Sequence, residues 1–224
     1  MQENCVAIDG YSSSGKSSVA KLLSCKLDGY FHLNTGSIYR ALALFCQRNN
    51  IDCTSEDAVA DAFVRARIDV DFDNDKKQQT YIGSQRVDQF LRDESLSYLS
   101  SVVSVHYKVR QMIITLQRKL ATRLNLVMEG RDITTDVLPQ AKYKFFLTAS
   151  CEIRAKRRFE ELLKTNKNAS YETVLEDLKK RDERDINRKH GALRIAKNVI
   201  VIDSTSLSID QVVDKMFKII KESD

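Results

Sequence analysis

Residues Gly10 to Ser18 read GYSSSGKSS and follow directly on the apolar run Cys5-Val6-Ala7-Ile8. Gly10, Gly15, Lys16 and Ser17 meet the pattern G-x-x-x-x-G-K-[ST], a phosphate-binding loop. Its glycines let the backbone curl so that successive N–H groups point inward at phosphate oxygens. Gly10, Tyr11, Ser12, Ser13, Ser14, Gly15 and Ser18 then cradle a nucleoside triphosphate. Lys16 reaches its β- and γ-phosphates, and the Ser17 hydroxyl faces Mg²⁺. A helix starting near Lys16 aims its positive end at the same anion. The alternative is a Ser/Gly-rich surface turn. The context favours the phosphate loop, because a buried strand precedes it and an amphipathic helix follows. That helix carries Val19, Leu22, Leu23 and Leu27 on one stripe and stops at Asp28-Gly29.

The chain has 224 residues, 42% hydrophobic and 30% charged, which describes a globular protein of one good-sized domain or one domain with an insert. No uncharged apolar run approaches the ~20 residues of a membrane span. Met1-Gln2-Glu3-Asn4 leads almost at once into a strand, so neither a membrane partner nor a signal peptide is expected. The five cysteines (5, 25, 46, 53 and 151) show no CxxC or His pairing. Their odd count and scatter predict reduced thiols and a cytoplasmic location. The three histidines (32, 106 and 190) lack metal-site spacing and read as structural or solvated. A net charge of +5 fits a nucleic-acid binder or a site that neutralises several phosphates. The basic residues gather in stretches that suit a phosphate site, and no stacking aromatics interleave with them, so no nucleic-acid partner is expected.

Outward from the loop, Tyr30 to Leu33 reads as a second strand. The sequence from Asn34 through Thr35, Gly36, Ser37 and Arg40 opens a helix that either Thr35 or Ser37 caps. Polar residues at a strand's carboxyl end are where open α/β sheets bind ligands. A cap alone also accounts for Thr35 and Ser37, but Arg40 one turn further on suggests a second anion site. Thr54-Ser55-Glu56-Asp57 starts another helix. From Ile68 the period changes to two, and Tyr81 to Val87 reads as a hairpin around Gly83-Ser84. This antiparallel patch predicts an inserted subdomain over residues 63–104, with a core over residues 1–62 and 105–224. Val109, Met112, Ile113, Leu116 and Leu120 give a long helix its apolar stripe, with Arg110 off it. The buried strand Leu124 to Met128 ends in Glu129-Gly130-Arg131-Asp132. There Glu129 occupies the position that orients water around Mg²⁺. An ion pair in a turn is the alternative for Arg131 and Asp132, whereas Gly130 argues for close backbone approach.

Tyr143 to Ala149 is a further strand, and a basic helix start with Arg154, Lys156, Arg157 and Arg158 follows it. Residues 179–189 read KKRDERDINRK, and on a helix Arg181, Arg184, Asp185 and Arg188 fall within an arc of roughly 100°. A solvated, salt-bridged face is the alternative. Three arginines sharing one carboxylate favour a phosphate clamp, since planar guanidiniums match phosphate oxygens. A strand at Val199 to Ile202 and a final helix capped by Ser208 and Gln211 close the chain. A regulatory GTPase would need an N/T-K-x-D motif, and Asn166-Lys167 is followed instead by Asn168-Ala169.

Along nearly its whole length the chain resembles the bacterial cytidylate kinases. The matching stretches are AIDGYSSSGKSSVAKLL (7–23), LNTGSIYRALAL (33–44), EGRD (129–132), FFLTASCEIRAKRR (145–158), KKRDERDINR (179–188) and VIDSTSLSIDQV (201–212). The resemblance implies an α/β P-loop kinase core with a five-stranded parallel sheet flanked by helices, an inserted small antiparallel β/helical nucleotide-binding subdomain, and a mobile lid over about 154–168. It implies ATP-dependent phosphorylation of CMP and dCMP, with UMP or another acceptor as the alternative, Mg²⁺ as cofactor and a monomeric protein. Carried over by position, Thr35 stands where the family has an acceptor-side hydroxyl, and Ser101, Arg110 and Asp132 where it reads cytosine. Arg40 and Arg131 are similar to its CMP-phosphate ligands. Arg181 and Asp185 match positions that bind the acceptor's phosphate and sugar, with Arg188 in the same clamp. Lys16, Arg154, Arg158 and Arg184 are expected at the transfer step, Arg157 on ATP, and Ser17 on Mg²⁺ with Glu129 acting through water. The family usually has Asp where this chain has Asn34 and Glu129, and Gly where it has Thr134. The stretch His190-Gly191-Ala192-Leu193-Arg194 replaces one that contains proline.

Overall fold

The first strand, β1 (Cys5–Gly10), is buried at every position, which its apolar run requires of a central strand. The computed structural model describes residues 4–91, 93–164 and 169–222. After β1 come α1 (Lys16–Lys26), β2 (Tyr30–Asn34), α2 (Gly36–Arg48), α3 (Glu56–Ala66), β3 (Ile68–Phe72), β4 (Gln78–Ile82) and β5 (Gln85–Arg86). They are followed by α4 (Glu94–Val103), α5 (Tyr107–Ala121), β6 (Asn125–Gly130), β7 (Tyr143–Thr148), α6 (Cys151–Leu163), α7 (Tyr171–Asn187), β8 (Ile200–Asp203) and α8 (Ile209–Glu222).

Five strands form one parallel sheet in the order β2-β6-β1-β7-β8, and β3, β4 and β5 form a small antiparallel sheet. This is the expected five-stranded α/β architecture with an antiparallel patch. One face of the large sheet packs Val6, Ile8, Val127 and Phe145 against α1 and α8 through Val19, Leu23, Val212 and Met216. The other face packs Ala7, Leu33 and Met128 against α2, α3 and α5. Val70 of β3, Val87, and Leu96 and Val103 of α4 belong to that same cluster. Residues 63–104 therefore share an apolar core with the large sheet. Helices α6 and α7 pack on each other through Ala155, Val174 and Leu178. Of the lid range, residues 165–168 lie outside the described residues, as does the Asn166-Lys167-Asn168 sequence.

Local chemistry explains most of the boundaries and corrects some expectations. Ser208 and Gln211 close a reciprocal capping box, with Gln211 N–H donating to Ser208 Oγ at 3.2 Å and Ser208 N–H to Gln211 Oε1 at 2.8 Å. Leu22 is exposed, so the buried stripe of α1 is Val19, Ala20, Leu23 and Ser24. Neither Thr35 nor Ser37 caps α2. Their hydroxyls donate backward, Thr35 to the Glu129 carbonyl at 2.8 Å and Ser37 to the Asn34 carbonyl at 2.8 Å. Helix α7 ends at Asn187, and Arg188 follows in extended backbone (ψ 143°), so it joins the arginine group from beyond the helix. Arg110 lies off the apolar stripe yet is buried beside Val109, Ile113 and Ile114.

Candidate active site

All five parallel strands end on one side of the sheet, and the motif residues sit at or just beyond those ends. The phosphate loop leaves β1 at Gly10 with φ 151°, where a Cβ would meet the Leu147 carbonyl oxygen of β7 at 2.0 Å. Only glycine fits there. Lys16, at the start of α1, donates to the Tyr11 carbonyl across the loop, and its Nζ lies 3.4 Å from Ser14 Oγ. Burial, and then the neighbouring Arg131 charge, push the Lys16 pKa well below that of an ordinary lysine.

A cavity of about 760 Å³ opens beside the loop. Ser12, Ser13, Ser14, Gly15, Lys16, Ser17 and Ser18 line one side, together with Arg157 and Arg158 of α6. Facing them are Thr35, Arg40, Ser101, Arg110, Arg131, Asp132, Arg181, Asp185 and Arg188. The structure thus brings the residues of six separate sequence motifs to one place. Nine basic side chains and four carboxylates line the cavity, an excess suited to polyanions.

Three of the four carboxylates, Asp132, Asp185 and Glu161, hold arginines. Arg110 pairs with Asp132, both buried, and also donates to the Ser104 carbonyl at 3.0 Å. Burial alone would lower the Arg110 pKa, but the Tyr39 and Asp132 charges more than offset this and raise it. Gly191 (φ 61°) lies against this guanidinium, and a Cβ there would meet Arg110 Nη2 at 1.9 Å. The segment His190 to Arg194 therefore backs the Arg110 guanidinium directly. Asp185 accepts from Arg131 Nε at 2.7 Å and lies 3.7 Å from Arg188 Nη1. Arg181 is different: its Nε is buried with no hydrogen-bond partner among the described residues. Burial and the adjacent Arg131 charge lower its pKa to about 10.

Four expected residues are not among those lining this cavity. Gly10 and Tyr11 form the root of the loop. Arg154 lies beneath it, pairing with Asp182 of α7 at 2.6 Å and donating to the Ser12 carbonyl at 3.2 Å and the Ala149 carbonyl at 3.0 Å. The Arg154 guanidinium also covers the Tyr11 ring at 4.9 Å. It ties the loop to α7, which is why a cation expected at the transfer step is buried under the backbone instead. Arg184 is exposed and stacks over Tyr98 of α4 at 5.3 Å, lining an adjoining groove that shares Ser12, Ser13, Ser97, Arg158 and Arg181 with the cavity. One helical position separates it from Asp185, enough to turn it away from the cavity.

Sequence reading passed over three groups. Tyr39 lines the cavity with the Arg110 guanidinium 5.8 Å from its ring centre. Ser97, Ser100 and Ser104 join Ser101, and their spacing along α4 is the helical period that would have revealed them. Asp9 was visible as a lone acid ending an apolar strand. It is buried, and it accepts from Ile133 N–H at 2.8 Å, Thr134 N–H at 2.7 Å and Thr134 Oγ1 at 2.6 Å. It thereby fixes the turn that carries Arg131 and Asp132 to the strand that carries the loop. The Thr134 hydroxyl adds one hydrogen bond to that grip.

Burial raises the Asp9 pKa to about 6, against the hydrogen bonds from Thr134 and Ile133. The folded value lies above the ordinary 3.8, so the folded state holds the proton more tightly. This contribution to stability is complete below the unfolded pKa and is lost as pH rises through the folded one. In denaturant melts from pH 4 to 6.5, the stability of wild type relative to Asp9→Asn is expected to fall as pH rises, by up to about 3 kcal/mol. A difference independent of pH would contradict this.

Glu129, at the end of β6, is buried between His32 of β2, whose Nε2 is 3.3 Å from its Oε1, and the start of α1. Burial alone would raise its pKa, but hydrogen bonds from His32 and Ser17 and the charges of His32 and Lys16 hold it below the ordinary value. An exposed serine hydroxyl and an ionised carboxylate are hard oxygen donors of the kind Mg²⁺ takes, with phosphates and water completing its shell. Among the described residues no group of three or more His, Cys, Asp or Glu side chains could hold a metal by itself. The donor set fits an ion that arrives with a polyphosphate.

The family model for cytidylate kinase matches residues 6–222. A cytidylate kinase from Caldanaerobacter subterraneus subsp. tengcongensis is 41% identical over 218 residues, covering 97% of this chain and 95% of the relative. Cytidylate kinases from Bacillus licheniformis and Bacillus subtilis are 38% and 37% identical, covering 96% and 97% of this chain and 95% and 96% of their own lengths. With the family model matching residues 6–222 and relatives about 40% identical over nearly the whole chain, the chain belongs to the cytidylate kinase family.

Proposed function

We propose that this protein transfers the γ-phosphoryl group of ATP to the phosphate of CMP, and of dCMP, yielding ADP and the nucleoside diphosphate. One observation carries the reading. A phosphate loop with its lysine faces an arginine clamp across a single cavity, so two polyanions can lie with their phosphates adjoining. The name its relatives bear supports cytidine as the acceptor's base.

A CMP phosphate oxygen attacks the γ-phosphorus. A new P–O bond forms as the bond to the β–γ bridging oxygen breaks, and ADP departs. A phosphate monoester has a second pKa of ~6, so the attacking oxygen is already ionised at neutral pH and needs no strong base. The protein's task is to hold the reactants in line and offset their charge. In this reading Lys16 and the loop N–H groups hold the transferred phosphoryl, and Arg131, Arg181 and Arg40 hold the acceptor phosphate. Ser101, Arg110 and Asp132 read the base, while Asp185 orients Arg131 and Arg188 and meets the sugar. Mg²⁺, when bound through Ser17 with Glu129 acting through water, neutralises the triphosphate. Arg157 donates to the Ser204 carbonyl at 2.7 Å, and with Arg158 it stands on α6 where closure over ATP excludes water. Residues 63–104 serve as the acceptor-binding unit.

The reading takes the protein to act as a cytoplasmic monomer on ATP and CMP or dCMP. No described helix is long and apolar enough to cross a membrane. ADP release that depends on CMP, with the β-phosphate of CDP observed by ³¹P NMR, tests the reaction. ADP release at equal rate with and without CMP would overturn it. Arg184→Ala is expected to change kcat less than about threefold, since its guanidinium lies on Tyr98 outside the cavity. A loss of two orders of magnitude in the same assay would return Arg184 to the transfer step.

A further inference from the structure

The histidine at position 32 sits where the mechanism above has no use for it. It lies on β2, an edge strand of the large sheet, between Phe31 and Leu33, which face the α2, α3 and α5 side. Alternation along the strand turns His32 to the opposite face, the one covered by α1. Glu129 lies on that face too, since Met128 before it packs on the other side. The register aligns His32 with Val127 and Asn34 with Glu129, so His32 reaches Glu129 diagonally from the neighbouring strand. A glutamate carboxyl is ordinarily ionised at neutral pH, and the Glu129 Oε1 lies 3.3 Å from His32 Nε2. An ionised carboxylate only accepts hydrogen bonds, so His32 Nε2 must be the donor.

We propose that His32 is a positioning residue, whose Nε2–H fixes the Glu129 carboxylate against Ser17 and so tunes the affinity of the site for the divalent cation that accompanies ATP. This rests on the reading of Ser17 and Glu129 given above. A glutamate has three side-chain torsions and, unheld, spreads its carboxylate over several rotamers. Here it is gripped from two sides. His32 approaches from β2, and the Ser17 hydroxyl and the Lys16 charge approach from α1. Partners of this kind behind a cation-binding group orient it, and their loss weakens metal binding even though they never touch the metal. The side chain of His32 is only 16% exposed, which keeps the contact out of competition with water.

The test uses the full chain with a non-hydrolysable ATP analogue and Mn²⁺, whose binding is read by electron paramagnetic resonance. His32→Leu and His32→Phe remove the donor, the second keeping a ring, and His32→Gln retains one. Both donor-less variants are expected to weaken Mn²⁺ binding about tenfold, and His32→Gln to restore it to within about threefold. The KM for CMP stays unchanged, because Arg131 and Arg181 are untouched. In Glu129→Gln the same His32→Leu change is expected to add little, as two residues acting through one contact are non-additive. Mn²⁺ affinity unaltered in a folded His32→Leu or His32→Phe protein would overturn the proposal. So would His32→Gln binding Mn²⁺ as weakly as the donor-less variants, since packing and not the donor would then matter. If wild type itself adds nothing to Mn²⁺ binding by the free analogue, the assignment of Ser17 and Glu129 fails first.

Discussion

Lys16→Ala is expected to lower kcat about 10³-fold, some 4 kcal/mol of transition-state stabilisation, while leaving the fold intact. The size follows from where the charge sits. Lys16 is buried at the mouth of α1, in a setting where burial and Arg131 already press its ammonium toward the neutral form. A cation kept there against those costs gains its value when phosphate charge arrives beside it in the transition state. The same costs make the variant stable. Removing an ammonium whose partners are the Tyr11 carbonyl and Ser14 Oγ relieves desolvation and like-charge repulsion, so Tm should hold or rise. Steady-state ADP release and a thermal melt of the same sample measure both. Turnover within tenfold of wild type would remove the loop from the chemistry. A large fall in Tm would mean that Lys16 holds the loop together.

Arg181→Met is expected to raise the KM for CMP about 100-fold and to change the KM for ATP less than about threefold. A charge-assisted hydrogen bond to phosphate is worth roughly 1.5–3 kcal/mol, and each 1.4 kcal/mol is a factor of ten. Arg181 is the clamp arginine with a buried Nε that no group among the described residues satisfies. Arg131 and Arg188, by contrast, are already engaged by Asp185. It also faces like charges in Arg131 and Arg40, so the methionine should not destabilise the fold. A KM for ATP that rises more than the KM for CMP would place Arg181 on the donor side and reverse the orientation of the two nucleotides.

The fold was legible from periodicity because the strands that matter are buried on both faces. Cys5 to Ile8, Leu126 to Met128 and Phe145 to Leu147 read as continuous apolar runs, and the loop and the helix after the first of them fixed its direction. Strand order was not legible from those runs, since β2 and β6 pair across nearly a hundred residues and no local pattern encodes the partner. The cations of the site were found because arginines clustered at helical spacing stand out. Their individual directions were not. Arg184 and Asp185 are neighbours in sequence, yet one stacks on Tyr98 outside the cavity and the other anchors Arg131 within it. Arg154 shared a stripe of basic residues with Arg157 and Arg158 but was drawn under the loop by Asp182, a carboxylate twenty-eight positions later. Hydroxyls were misread in the same way. Thr35 and Ser37 stand where caps belong, but the carbonyls of Glu129 and Asn34 compete for them and win. Asp9 and Tyr39, which were passed over, and His32, which read as structural or solvated, are single polar positions beside apolar residues, and composition averages such residues away.

On the function proposed above, the clamp opposite the phosphate loop selects a cytidine monophosphate. An acceptor panel at fixed ATP and Mg²⁺, with kcat/KM from ADP release for CMP, dCMP, UMP, AMP and shikimate, tests it most directly. Arg110 is held by Asp132 and backed by Gly191, so on the function proposed above the group that reads the base is rigid, and its free donors go unpaired with the wrong base. Unpaired buried groups of that kind discriminate by roughly 10²-fold or more. CMP and dCMP are therefore expected to exceed every other acceptor by at least about tenfold, and UMP or AMP at or above the CMP rate would rule out cytidine selection by this clamp.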